Sequence, residues 1–213
     1  MDTLRTLRAI SALRQRFRPA VERRTARRSG GNGGRLSARL FTALFLLFAF
    51  VPAHAQTHPT EFQVKAAYVF NFGKFIKWPV EASSTGPFEI CVMGKDSFAT
   101  VLDSTVAGET IDRRTIAVKR ISNLQEAPAC NILFIGASEE SRLKTILVAT
   151  QHLNILTVSD IPHFSERGGV IGFVTQEEKI RFEVNLGAAE QSHLALSSEL
   201  LKVASRVIAK PTS

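Results

Sequence analysis

Four short apolar runs, Phe88 to Met93, Thr115 to Lys119, Asn131 to Ile135 and Asn154 to Val158, leave few folds open to this chain. They are dominated by β-branched and aliphatic residues and lack the polar alternation of a half-wet strand, so each reads as a strand buried on both faces. Asp96 to Leu102, Ser138 to Thr150 and Leu186 to Leu194 read as connecting helices. Strand and helix in alternation imply an α/β fold, a three-layer α/β/α sandwich with a mainly parallel sheet. One antiparallel pair is expected, a β-hairpin of Gly169 to Thr175 and Lys179 to Val184 around the polar turn Gln176-Glu177-Glu178. A terminal helix should open at Ser197, with apolar residues at 200, 201, 204, 207 and 208, Glu199 in its first turn, and Arg206 and Lys210 in its last.

The charge is unevenly placed. The chain of 213 residues has a formal charge of +8, but residues 1–55 hold 11 Arg against Asp2 and Glu22, and the remaining 16 basic and 17 acidic residues leave the rest at −1. The basicity therefore belongs to the leader, and a nucleic-acid partner is not implied. Leu40 to Val51 is an uncharged apolar run of 12 residues, short for a membrane span and suited to the core of a signal peptide, and Ala53-His54-Ala55 supplies a small-x-small cleavage site. Cleavage is expected after Ala55, giving a signal peptide of residues 1–55 and a single domain of residues 56–213; an uncleaved anchor is the alternative.

Phe62 to Pro79 reads as an amphipathic helix directly behind that leader. At about 100° per residue, Phe62, Val69, Phe72 and Ile76 form one stripe, with Gln63, Asn71, Lys74 and Lys77 opposite, and Pro79 is expected to end it. Lys65 falls inside the apolar arc and Phe70 inside the polar one, which marks both as candidates for binding. The hairpin offers a second candidate surface, because Ile171 and Phe173 on one strand add apolar area beyond what a simple hairpin needs, beside Arg181 and Glu183 on the other.

Cys91 and Cys130 lie 39 residues apart in the exported part, where an oxidising compartment allows them to cross-link. We expect the pair to be joined, the alternative being two buried thiols. A zinc site needs three or four ligands, and no histidine is near either cysteine. The histidines at 54, 58, 152, 163 and 193 form no HExxH pattern, and no nucleophile elbow or phosphate loop is present. The chain is expected to be no enzyme and to need no cofactor.

Taken in order, Lys65 to Pro79 (KAAYVFNFGKFIKWP), Ile90 to Asp96 (ICVMGKD), Cys130 to Gly136 (CNILFIG), Ile155 to Asp160 (ILTVSD), Phe164 to Val174 (FSERGGVIGFV), Ile180 to Leu186 (IRFEVNL) and Leu196 to Ala204 (LSSELLKVA) resemble the YfiR family of exported bacterial proteins. The resemblance implies a periplasmic regulator that binds the outward-facing domain of an inner-membrane diguanylate cyclase, holds cyclic-di-GMP synthesis down, and forms a homodimer. Relatives used in redox control carry a further cysteine pair around Gly168 to Val174, absent here, and relatives often have Asn where Gly172 stands.

In open parallel sheets, small molecules bind outside the carboxyl ends of the strands. Lys95, Asp96, Ser138, Asp160 and His163 fall at those ends and are the candidate lining of a ligand crevice, although Asp96 and Ser138 equally suit helix caps. A small-molecule sensor for another membrane system is thus the second functional expectation beside the regulator, whose contact residues are expected to be Lys65, Phe70, Ile171, Phe173, Arg181 and Glu183.

Overall fold

The computed structural model describes residues 59–79 and 86–209. The expected leader with its cleavage site, and Lys210, lie outside the described residues.

The chain runs through α1 (Glu61–Phe75), β1 (Ile76–Lys77), β2 (Phe88–Met93), α2 (Val101–Val106), β3 (Thr110–Ile111), β4 (Arg114–Ile121), a 3-10 helix (Leu124–Ala129), β5 (Ile132–Ile135), a second 3-10 helix (Ala137–Arg142), α3 (Leu143–Thr150), β6 (Leu156–Ser159), β7 (Ile171–Gln176), β8 (Lys179–Asn185), α4 (Leu186–Gln191), β9 (Ala195–Leu196), α5 (Ser198–Val203) and β10 (Arg206–Ile208). The main sheet has eight strands in the order β10-β8-β7-β6-β5-β2-β4-β3. All neighbours are parallel except the β7–β8 and β3–β4 pairs. The apolar runs supply β2, β4, β5 and β6, and the hairpin stands where the sequence placed it; β4, flanked outward by the two-residue β3 alone, is half-exposed and not buried on both faces as expected.

Alternation along those strands builds the two halves of the core. Ile90, Val92, Ile132 and Phe134 face a cluster shared with α1, α2, α4 and α5. Their neighbours Cys91, Met93, Leu133 and Ile135 face the opposite cluster, shared with α3 and the first 3-10 helix. Helices thus cover both faces, and the fold is the expected α/β sandwich. Cys91 on β2 and Cys130 just before β5 are joined by a disulfide, with Cα atoms 5.8 Å apart. Adjacent parallel strands bring them together.

Several boundaries differ from the sequence reading. α1 stops at Phe75, four residues before Pro79, because Ile76 and Lys77 turn extended and pair with Leu196 and Ala195, while Ser197 N–H donates to the Phe75 carbonyl at 2.9 Å. The helix expected from Asp96 begins only at Val101, since Asp96 Oδ1 accepts from Phe98 N–H at 2.8 Å in a local turn and Ala99 has a left-handed φ of 48°. Ser138 to Thr150 divides into the second 3-10 helix and α3. α4 ends at Gln191, with His193 left-handed at φ 53°.

The terminal helix is the largest correction. α5 covers only Ser198–Val203; Ser205 then bonds the Phe182 carbonyl through both N–H and Oγ, each at 2.9 Å. Those two bonds turn the chain onto the edge of β8, and Arg206, Val207 and Ile208 pair with Glu183, Val184 and Asn185. The β-branched Val207 and Ile208 suit that strand better than a helix.

Candidate functional site

A cleft of about 520 Å³ opens beyond the carboxyl end of β6, within the usual range for binding sites. Its floor is set by α1. Thr60 caps this helix with Gln63 in a reciprocal pair of side-chain to backbone bonds, which fixes the first turn and so the position of Glu61 and Lys65. Lys65 is buried at 4% exposure. Its Nζ lies 2.7 Å from Asp160 Oδ2 and 2.5 Å from Glu61 Oε1, with the Phe62 and Phe173 rings 5.5 and 5.9 Å away. Burial opposes the charge, but the bonds to Asp160 and Glu61 outweigh it and hold the ammonium above its ordinary pKa.

Asp160 is presented by the residue before it. Ser159 Oγ donates to the Ile135 carbonyl at 2.6 Å and accepts from Ile161 N–H at 3.0 Å, pinning the turn that leaves β6. Asp160 Oδ1 is buried with no hydrogen-bond partner, an uncommon state for a carboxylate oxygen. The rim carries a second charged group. Arg206 Nη1 lies 2.5 Å from Glu166 Oε1 and 3.8 Å from Glu183 Oε1, and His163 Nδ1 lies 3.1 Å from Glu166 Oε2. Arg206, with a smaller share from His163, holds the Glu166 carboxyl below its ordinary pKa. The hairpin supplies the apolar wall, Phe173, Val174 and Ile180.

The structure redistributes the residues singled out from the sequence. Asp160 and His163 line the cleft together with Lys65, Phe173 and Glu183, so members of the two candidate sets meet in one place. Lys95, Asp96 and Ser138 do not line it: Ser138 Oγ accepts from Lys95 N–H at 2.8 Å, and Asp96 holds Arg120 at 2.8 Å. Phe70 belongs to the core, because α1 packs against α2 as well as the sheet and a second arc of its surface is covered; Lys74 Nζ sits 3.8 Å over its ring. The surplus apolar face of the hairpin is also turned inward. Ile171 is fully buried, and Phe173 stacks on Phe72 of α1 at 5.9 Å. Arg181 is exposed on the other face. A side chain at Gly172 would require Ser165 to shift, since a Cβ there would approach its Oγ to 2.8 Å and its backbone nitrogen to 3.3 Å.

Glu61, Glu166 and Arg206 were missed from sequence. Glu61 could have been found, since it stands four residues before Lys65, the spacing of a helical ion pair. Arg206 could not, because its position depends on the unforeseen strand β10. Among the described residues no three or more His, Cys, Asp or Glu side chains are placed so that they could hold a metal ion, and no helix is long and apolar enough to cross a membrane.

No curated protein matches the chain. Among solved structures it is similar to a conserved domain protein from Vibrio cholerae O1 biovar El Tor, at 11% identity and a TM-score of 0.48 over 70% of this chain and 60% of that one. It is also similar to the ABC domain in complex with L-Trp from Streptococcus pneumonia, at 12% identity and a TM-score of 0.41 over 57% of this chain and 55% of that one. The chain thus spans 60% and 55% of the lengths of these two structures. The sequence profile of the YfiR/HmsC-like family matches residues 62–205, from the first turn of α1 to the residue before β10, and the chain belongs to that family.

Proposed function

We propose that this chain is an exported regulator of cyclic-di-GMP signalling, which binds the periplasmic domain of an inner-membrane diguanylate cyclase and holds its synthesis down. The family match over residues 62–205 carries this reading. The apolar run and small-x-small site before Gln56 support export to the periplasm. The regulator acts by occupancy and release, without turnover, and works as a homodimer. Its contact surface centres on the hairpin and α1: Arg181 and Glu183 offer charge, Lys65 and Phe173 border the cleft, and the buried Phe70 and Ile171 hold the surface from beneath.

Deletion of the gene tests the reading. Cyclic-di-GMP and biofilm should rise in the native host, and charge reversal at Arg181 should reproduce part of the rise without loss of folded protein. A deletion that leaves cyclic-di-GMP unchanged, together with a small molecule retained by protein recovered from the periplasm, replaces the regulator with a small-molecule sensor for another membrane system.

A further inference from the structure

The edge of β7 beside the cleft is only half used. Pairing with β6 covers Ile171 and Gly172 alone, whereas pairing with β8 continues from Ile171 to Gln176. Asn185 N–H donates to the Val170 carbonyl at 2.8 Å. In an antiparallel ladder the residues alternate between bonding the partner and facing away, so Gly172, Val174 and Gln176 bond β8. Ile171, Phe173 and Thr175 turn their backbone groups to the other side. Past the end of β6 that side is the cleft, which Phe173, Val174 and Thr175 line. A strand edge ending in an open cleft is a template for another extended segment.

The charge of the cleft selects what kind of segment fits. Glu61, Asp160, Glu166 and Glu183 face two cations, Lys65 and Arg206, so His163 aside the carboxylates exceed the cations by two. Both cations are already engaged by those carboxylates, and Asp160 Oδ1 is a buried acceptor without a donor. We propose that the cleft is a docking groove for an extended segment of a partner protein, which adds a strand to the open edge of β7 and carries a Lys or Arg side chain into the carboxylates. This rests on the reading that the chain acts by binding a protein. Backbone pairing would supply affinity and the basic side chain register and selectivity.

Fluorescently tagged pentapeptides of the pattern Thr-Val-Z-Val-Thr, with Z as Lys, Arg, Gln or Glu, test the proposal by anisotropy against the full chain. The Lys and Arg peptides should bind saturably and at least tenfold more tightly than the Glu peptide. Methylating the backbone nitrogens on one edge of the Lys peptide should remove binding, and hydrogen exchange at the Thr175 amide should slow when the Lys peptide is bound. Thr175→Pro deletes an N–H that faces the cleft and not β8, so it should keep the fold by circular dichroism yet weaken the Lys peptide tenfold or more; Glu183→Gln should weaken it severalfold. No saturable binding at millimolar peptide, equal binding of the Lys and Glu peptides, or binding of n-butylamine as tight as that of the Lys peptide would overturn it. The two readings fail separately: peptide binding with unchanged cyclic-di-GMP on deletion removes the cyclase and keeps the groove, and raised cyclic-di-GMP without peptide binding does the reverse.

Discussion

Lys65 on α1 and Asp160 at the end of β6, 95 residues apart, meet at 2.7 Å, and the lysine is almost wholly withdrawn from water. Removing one partner of a buried pair strands the other charge, a loss of about 3–5 kcal/mol in the deep interior. Glu61 stays beside Lys65 and Asp160 is partly exposed, so Asp160→Asn should cost about 2 kcal/mol, below that range. Lys65→Met with Asp160→Leu, which removes both charges, should recover most of the loss. Urea denaturation of the two variants and the native protein at constant m-value checks this.

The same pair fixes the sign of an alkaline effect. The folded-state pKa of Lys65 lies above its ordinary value of 10.5. The stabilisation is therefore complete below that ordinary value, which the unfolded chain retains, and fades as pH rises through the folded value. Stability measured from pH 8 to 12 should fall less steeply in Lys65→Met than in the native protein, and parallel curves would contradict the assignment.

The Cys91–Cys130 disulfide closes a loop of 39 residues, worth about 4 kcal/mol in the chain-entropy picture. Cys91→Ala with Cys130→Ala should lower the unfolding free energy by an amount of that order. Thiol labelling of the native protein under denaturing, non-reducing conditions should find no reactive cysteine.

Arg120 pins α2 to β4. It bonds Asp103 through two nitrogens at 2.7 and 2.5 Å, Asp96 at 2.8 Å and the Ala99 carbonyl at 2.5 Å. Lysine cannot reproduce that fork, so Arg120→Lys should cost about 1 kcal/mol, small because both partners are substantially exposed. The Arg120 hydrogen bonds hold the Asp103 carboxyl below its ordinary 3.8. A lowered carboxylate stabilises above its unfolded pKa and loses that contribution as pH falls through the folded one. The acid limb of the stability curve should accordingly be shallower in Arg120→Lys.

A Cβ built at Gly169 falls 2.0 Å from Cε1 of the Phe164 ring, a fully buried side chain. Gly169→Ala should destabilise by about 1–3 kcal/mol, the usual range for overpacking. Gly108→Ala, where nothing stands within 4 Å but φ is 75°, should cost only the smaller conformational penalty, about 1 kcal/mol. Thermal melts of the two rank them, and equal losses would refute the packing account.

Burial on both faces leaves an unmistakable trace, which is why β2, β5 and β6 stood out as unbroken apolar runs and why the two cysteines could be placed on neighbouring strands. Lys65 was legible as an anomaly because helical period is strict, yet its partner was not, since no local pattern joins residues 95 apart. Phe70 misled because a helix covered on two arcs breaks the assumption of a single apolar stripe. The run 200, 201, 204, 207, 208 fits a helix and equally a short helix followed by a strand; the choice was made by Ser205 bonding Phe182, a tertiary contact. The cleft's second cation, Arg206, disappeared from view with that one boundary.

The covalent link between β2 and the start of β5 divides the sheet by freedom of motion. Everything from Cys91 to Cys130, including α2, β3 and β4, is closed into a loop whose two ends stay joined, so opening this segment gains less chain entropy than opening a flank with no cross-link. Sub-global opening of the native state is thereby steered to the opposite flank, where β10, the hairpin and the cleft lie. Amides of β10 and β8 should exchange at lower opening free energies than those of β4, and the flank that receives a partner is the one left able to breathe.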